Sequence, residues 1–250
     1  MQRARGGSGA SRLVAGPAAA RVSALFSIVF EAPTTTGWRR LVSPVSVTCA
    51  CVAVLAVLGT RARANEYFSW DSRLHEVMSS YSEPEFNEFA DDVISLFLRA
   101  GVDGIALAVS AGSAYVFRAS GRFRAFWFVV SSVVCAILLT FLLKSVFERS
   151  LLDPLGTYEF PSGHATRSFV AAGILVALTW RTRWRRPATA AAALFVAAVG
   201  TSLVYAGWHL PSDVLGGWAV ALAVLVAAGA VFPTSASVAL PTAATQRTRG

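Results

Sequence analysis

The 250-residue chain is 55% hydrophobic and only 14% charged, with a net charge of +8. That balance excludes an ordinary soluble globule and places the chain in the membrane class. The arginines gather between apolar runs, so anionic headgroups and membrane orientation account for the positive charge better than nucleic acid does.

Residues 1–40, rich in Arg, Gly, Ser and Ala, read as a disordered basic cytoplasmic tail. Within it, residues 22–30 are apolar but too short to span a bilayer; a cleaved signal peptide is an alternative reading, although Glu31 with the Pro-Thr stretch after it does not resemble a cleavage site. Leu41–Thr60 is the first uncharged run of spanning length. Residues 61–92 are polar and acidic, with Tyr67, Phe68 and Trp70 as interfacial anchors. Val93–Phe117, interrupted by Arg99 and Asp103, is the second span, and Ala125–Leu143 the third. A polar loop over 145–162 leads to Gly163–Trp180, Ala188–Trp208 and Val214–Phe232. Residues 233–250 form a loose cytoplasmic tail. A transmembrane helix needs about 20 apolar residues. The pattern therefore predicts an all-α fold: an integral membrane bundle of six transmembrane helices over residues 41–232. Strand should be nearly absent, because a lipid-embedded backbone satisfies its hydrogen bonds within each helix. Cys49, Cys51 and Cys135 fall inside apolar runs and read as small core residues.

Charge sets the expected orientation. Basic residues cluster at Arg39 and Arg40, at Arg118, Arg122 and Arg124, at Arg181 through Arg186, and at Arg247 and Arg249. Six spans put all four clusters on one side, the cytoplasmic side, with both termini. Arg61 and Arg63 oppose the pattern and are outvoted. The 145–162 loop and the His209 turn then share the extracytoplasmic face, which is where an active site is expected.

Two stretches carry chemistry. Pro161-Ser162-Gly163-His164 reads as a helix start, with Ser162 as N-cap and Gly163 allowing close approach of a ligand. Free N–H groups and the helix dipole there attract an anion, with His164 in the first turn beside it. His209 and Asp213 flank Pro211 at the mouth of the last span, where a carboxylate can fix the tautomer of an imidazole. Taken singly, each stretch is also compatible with a capped helix carrying an interfacial histidine. His164, His209 and Asp213 could alternatively be metal ligands, although no compact ligand cluster is visible. Lys144, the only lysine, and Arg149 lie between the third span and His164. They can hold phosphate oxygens or simply snorkel to the interface. Arg167, three residues after His164, shares its helical face. Arg99 and Asp103 are spaced for an i,i+4 pair within the second span.

The order of Lys144, Pro161-Ser162-Gly163-His164, and Ser202 with His209 and Asp213 resembles the type 2 phosphatidic acid phosphatase superfamily, in its membrane lipid phosphatase branch. The resemblance covers about residues 60–232. It implies a phosphatase acting on a lipid phosphate or an isoprenoid (di)phosphate, with no metal and no cofactor. It implies that His209 is the nucleophile that becomes phosphorylated and that Asp213 orients it. His164 would protonate the leaving oxygen and then help activate water. Lys144 and the backbone around Ser162 and Gly163 would bind phosphate. Two positions depart from the family pattern. The arginine expected seven residues after the lysine is Leu151, followed by Leu152 where proline is usual, and the arginine expected after Ser202 is Leu203. Each lost charge-assisted contact is worth about 1.5–3 kcal/mol. Arg149 stands near the first vacancy, and Arg167 is a candidate replacement. A rival expectation is a catalytically degenerate relative that binds a lipid headgroup or a membrane partner. A transporter is disfavoured because no internal repeat is visible.

Overall fold

The structure, a computed structural model, describes residues 43–66, 68–80, 92–94, 96–149 and 159–233. Residues 1–40 and 234–250 of the proposed tails, Tyr67, Leu151 and Leu152 lie outside the described residues. Within them the chain is helical, with no strand. In order come α1 (Pro44–Arg63), α2 (Ser69–Ser80), a π-helical turn (Phe97–Val102) running into α3 (Asp103–Ala119), α4 (Phe123–Phe147), α5 (Gly163–Thr179), α6 (Arg185–Tyr205) and α7 (Pro211–Val231).

Five helices are long and apolar enough to cross a membrane: Pro44–Arg63, Asp92–Ala119, Phe123–Phe147, Arg185–Tyr205 and Pro211–Val231. The fourth apolar run of the sequence, Gly163–Trp180, forms a helix of 17 residues. At a rise of about 1.5 Å per residue it is the shortest of the set. It is also among the most buried, packed against α3, α4, α6 and α7. Large apolar side chains on the outer helices, among them Leu107, Leu138, Phe141 and Leu194, face outward. That is what a bundle in lipid shows, where the outside is as apolar as the core.

The bundle is organised around α7, which packs against α1, α4 and α5. One core cluster joins Phe128, Val129, Ile174 and Leu225, so α4, α5 and α7 share it. A second joins Cys51, Leu55 and Leu58 of α1 to Val220 and Ala223 of α7. Phe68 and Trp70, expected as interfacial anchors, instead stack on each other with centroids 5.5 Å apart and lean on this second cluster. Their segment is not a plain polar loop: it contains α2, whose start is tied to the bundle by Asp71. Arg61 and Arg63, the exceptions to the charge pattern, are engaged locally. Arg61 pairs with Glu66 at 2.7 Å, and Arg63 donates to the Val146 carbonyl near the end of α4 at 2.6 Å.

Candidate active site

The site is assembled where the C-terminal end of α4 meets the N-terminal ends of α5 and α7. At the first of these, the Glu148 N–H donates to the Lys144 carbonyl. Glu148 takes a left-handed backbone (φ 49°), which ends α4 and turns the chain inward. The next residue, Arg149, is fully buried.

The start of α5 is built as the sequence suggests. Ser162 is the N-cap, and its hydroxyl accepts the Ala165 N–H at 3.3 Å. The Ser162 N–H donates to the Asp213 carbonyl at 3.0 Å, which couples the two histidine-bearing helix starts directly. The Thr166 hydroxyl completes the joint, 2.9 Å from the Ser162 carbonyl and 3.2 Å from that of Gly217. Gly217 is required here: a Cβ at that position would stand 2.6 Å from the Ser162 carbonyl oxygen. Gly217→Ala should therefore push α5 and α7 apart and destabilise the protein by about 1–3 kcal/mol. A thermal unfolding midpoint equal to wild type would show that the helices tolerate the added methyl.

At α7, Pro211 opens the first turn and Asp213 occupies the third position. The Asp213 carboxylate accepts the Leu210 N–H at 2.9 Å. Asp71, reaching over from α2, accepts the Ser212 N–H at 2.9 Å. Two carboxylates thus serve a positive helix end. The turn before them uses Gly207 at φ 67°, and the N–H groups of Trp208 and His209 both donate to the Leu203 carbonyl. Leu203 itself is buried in an apolar cluster with Val199 and Val214. The position where the family pattern expects an arginine thus supports the His209 turn through its backbone.

Arg149 ties these pieces together. Its Nη1 donates to Asp213 Oδ1 and to the Ser212 hydroxyl, both at 3.0 Å. Its Nη2 reaches the Glu66 carbonyl at 3.4 Å. Both side chains of the Arg149–Asp213 pair are 0% exposed. Arg149 therefore stands behind Asp213 rather than on a ligand-accessible wall. The other Asp213 oxygen lies 3.8 Å from His209 Nδ1, beyond hydrogen-bond length. That ring nitrogen is buried and makes no hydrogen bond among the described residues.

In front of the imidazoles lies a cavity of about 640 Å³. Lys144, Gly163, His164, Arg167 and His209 all line it, so five of the residues singled out from the sequence share one wall system. Ser162 and Asp213 lie behind that wall, fully buried. One flank is apolar, formed by Ile137 and Phe141 of α4, which are 37% and 65% exposed. Arg167 does not pair within its own helix. It grips Asp103 of α3 through Nε (2.7 Å) and Nη2 (3.3 Å). A Cβ built on Gly163 would lie 3.1 Å from Arg167 Nη1, so the guanidinium folds over the start of α5, where an anion is expected.

The i,i+4 pair expected between Arg99 and Asp103 does not form. The π-helical turn over Phe97–Val102 widens the helix just before Asp103, so residues four apart no longer stack. Asp103 turns to Arg167, and the Arg99 guanidinium lies over the Trp208 ring, 5.3 Å from its centroid. Sequence reasoning also missed Asp71, Glu159 and Trp208 as members of the site or its support. Glu159 and Trp208 line the cavity. Among the described residues no group of three or more His, Cys, Asp or Glu side chains is arranged to hold a metal.

Chemically the arrangement offers two imidazoles, a carboxylate behind one of them, and fixed cations facing a helix N-terminus. That combination suits an anionic, tetrahedral ligand. Over the described residues the fold and site define a helical, membrane-type protein with a cavity lined by histidines and cations at the ends of its central helices.

Comparison with known proteins narrows the class. Residues 125–236 match the sequence model of the PAP2 superfamily, so the resemblance carried by Lys144, the Pro161–His164 motif, His209 and Asp213 is borne out. Among solved structures, the chain is similar to the crystal structure of the first transmembrane PAP2 type phosphatidylglycerolphosphate phosphatase from Bacillus subtilis. The two are 25% identical, the match covers 76% of this chain and 95% of that one, and the TM-score is 0.53. No curated protein matches this chain.

Proposed function

We propose that the protein is a membrane lipid phosphatase that hydrolyses a lipid phosphate or isoprenoid (di)phosphate through a phosphohistidine on His209. The observation that carries this reading is the cavity itself: His164, His209, Lys144 and Arg167 converge on it, with Asp213 buried behind His209. The PAP2 match and the similarity to a membrane phosphatase of that type support it.

In the first step His209 Nε2 attacks phosphorus and the bond to the leaving oxygen breaks. His164 gives that oxygen its proton, and the Asp213 carboxylate stabilises the positive charge on the His209 ring. In the second, water attacks the phosphohistidine. His164 takes its proton, phosphate leaves, and His209 is regenerated. Lys144, Arg167 and the N–H groups at the start of α5 hold the phosphoryl oxygens. Ser162 acts through the helix start it caps, and Arg149 through Asp213. The proposed topology has six spans, with the short buried α5 as the fourth, over residues 41–232. The tails 1–40 and 233–250 are cytoplasmic and the site faces outward, following the arginine clusters.

One observation favours a second reading. Leu203 is fully buried among apolar side chains, so a guanidinium usual for the family has no room at that position. A catalytically degenerate relative that binds a lipid headgroup or a membrane partner would tolerate that loss.

The test is hydrolysis of a panel of lipid monophosphates and diphosphates by purified protein with chelator present. Phosphate release should persist undiminished, because histidines and fixed cations supply both nucleophile and charge stabilisation. Activity lost to chelator and restored by one divalent cation would favour a metal site. No release from any lipid in the panel would favour the degenerate relative.

A further inference from the structure

Arg99 is left without a role by the mechanism above, yet its placement is specific. It is an arginine inside an apolar segment, where a charge is costly and usually serves a ligand or a partner. Among the described residues no carboxylate is paired with it, since Asp103 is taken by Arg167. It sits in a π-helical turn, a distortion that re-aims side chains and recurs at functional sites. The turn carries its guanidinium to the same cavity as both histidines. There the Trp208 ring provides a shelf, 5.3 Å from the guanidinium carbon and 6.0 Å from the His164 ring. Such a shelf holds the planar cation in place, so little freedom is lost when its N–H groups meet an anion.

We infer that Arg99 binds a second anionic group of the substrate's headgroup, so that the site selects lipids carrying two phosphates over lipids carrying one. The inference rests on the phosphatase reading and names the substrate class of that same site. The reacting phosphate lies with the histidines, Lys144 and Arg167. The second lies across Trp208, against Arg99. Two headgroups share this chemistry: a diphosphate, with its phosphates joined directly, and a pair of phosphates separated by a short glycerol spacer.

The experiment compares matched substrates with the full-length purified protein: a prenyl diphosphate against the prenyl monophosphate, and phosphatidylglycerol phosphate against phosphatidic acid. Wild type should favour the two-phosphate member of at least one pair in kcat/KM. Arg99→Gln should cut that preference by about 10- to 100-fold, chiefly through KM, the range expected for one charge-assisted contact. Arg99→Lys should keep part of it. The pair that shows the preference identifies the headgroup type. Inhibition gives an independent reading that needs no variant: inorganic pyrophosphate should inhibit wild type more strongly than inorganic phosphate. Equal inhibition by the two anions would overturn the inference, as would Arg99→Gln lowering both members of each pair by the same factor. If wild type hydrolyses none of the four lipids, the phosphatase reading fails instead. The subsite is then judged by direct titration with the two inorganic anions. Tighter binding of pyrophosphate, lost in Arg99→Gln, supports it, and equal binding refutes it.

Discussion

Arg149→Leu should be the most destabilising single change in the site, costing about 3–5 kcal/mol. The guanidinium is wholly enclosed and bonds Asp213, the Ser212 hydroxyl and the Glu66 carbonyl. Removing it strands the Asp213 carboxylate in the interior, with a second buried carboxylate, Asp71, on the neighbouring N–H. An uncompensated buried charge is far more costly than a lost surface contact. Arg149→Lys keeps the charge but not the fork that reaches three acceptors, so an intermediate loss is expected. The double replacement Arg149→Leu with Asp213→Leu should recover part of the stability, because it removes both charges together, while recovering no activity. Unfolding midpoints of the three variants in detergent decide the matter. If Arg149→Leu unfolds within about 0.5 kcal/mol of wild type, a shift typical of a surface change, Arg149 is not the buried anchor described above.

His209→Ala should abolish turnover while leaving the fold intact, since its side-chain Nδ1 makes no hydrogen bond among the described residues. Losing the nucleophile of a two-step route typically costs roughly 10⁴–10⁶ in kcat. His164→Ala should cost less, about 10²–10⁴, and most for lipids with an alcohol leaving group, which need the proton most. Asp213→Asn is expected between wild type and His209→Ala. It preserves the shape that accepts the Leu210 N–H but removes the charge that faces both His209 and Arg149. The direct measurement is acid-labile phosphate trapped on wild-type protein during turnover and mapped by mass spectrometry. A folded His209→Ala protein that hydrolyses lipid phosphate at the wild-type rate would end the mechanism.

The apolar runs and the two histidine motifs were legible because their signals are local. A spanning helix is written in consecutive residues, and the Ser162 cap lies three positions from the N–H it satisfies. The grouping of Lys144, His164 and His209 followed from reading three motifs as one family pattern, and Arg167 from its place three residues after His164 on the same helical face. What escaped the sequence depends on long-range contacts or on a small change in helical phase. Asp71 meets Ser212 across 141 positions, and no local feature of residues 61–92 marks it out from the other acids there. Arg149 looked like a cation available to a ligand because its pairing with Asp213 spans 64 positions. Arg99 and Asp103 have the spacing of a helical ion pair. One π-helical turn, with no signature in composition, cancels it and frees each for a different neighbour. Leu203 read only as a missing arginine, since the service of its carbonyl to the His209 turn is independent of side-chain identity.

The exposed flank of the cavity at Ile137 and Phe141 changes what concentration means for this protein. A headgroup need not arrive from water if the wall beside the histidines is itself in contact with lipid chains. Its tail stays in the hydrocarbon and the molecule slides in sideways, so the search runs in two dimensions. The quantity that sets occupancy is then the mole fraction of substrate in the bilayer, and diluting the vesicle suspension leaves it untouched. Adding inert lipid to the same vesicles lowers it in proportion.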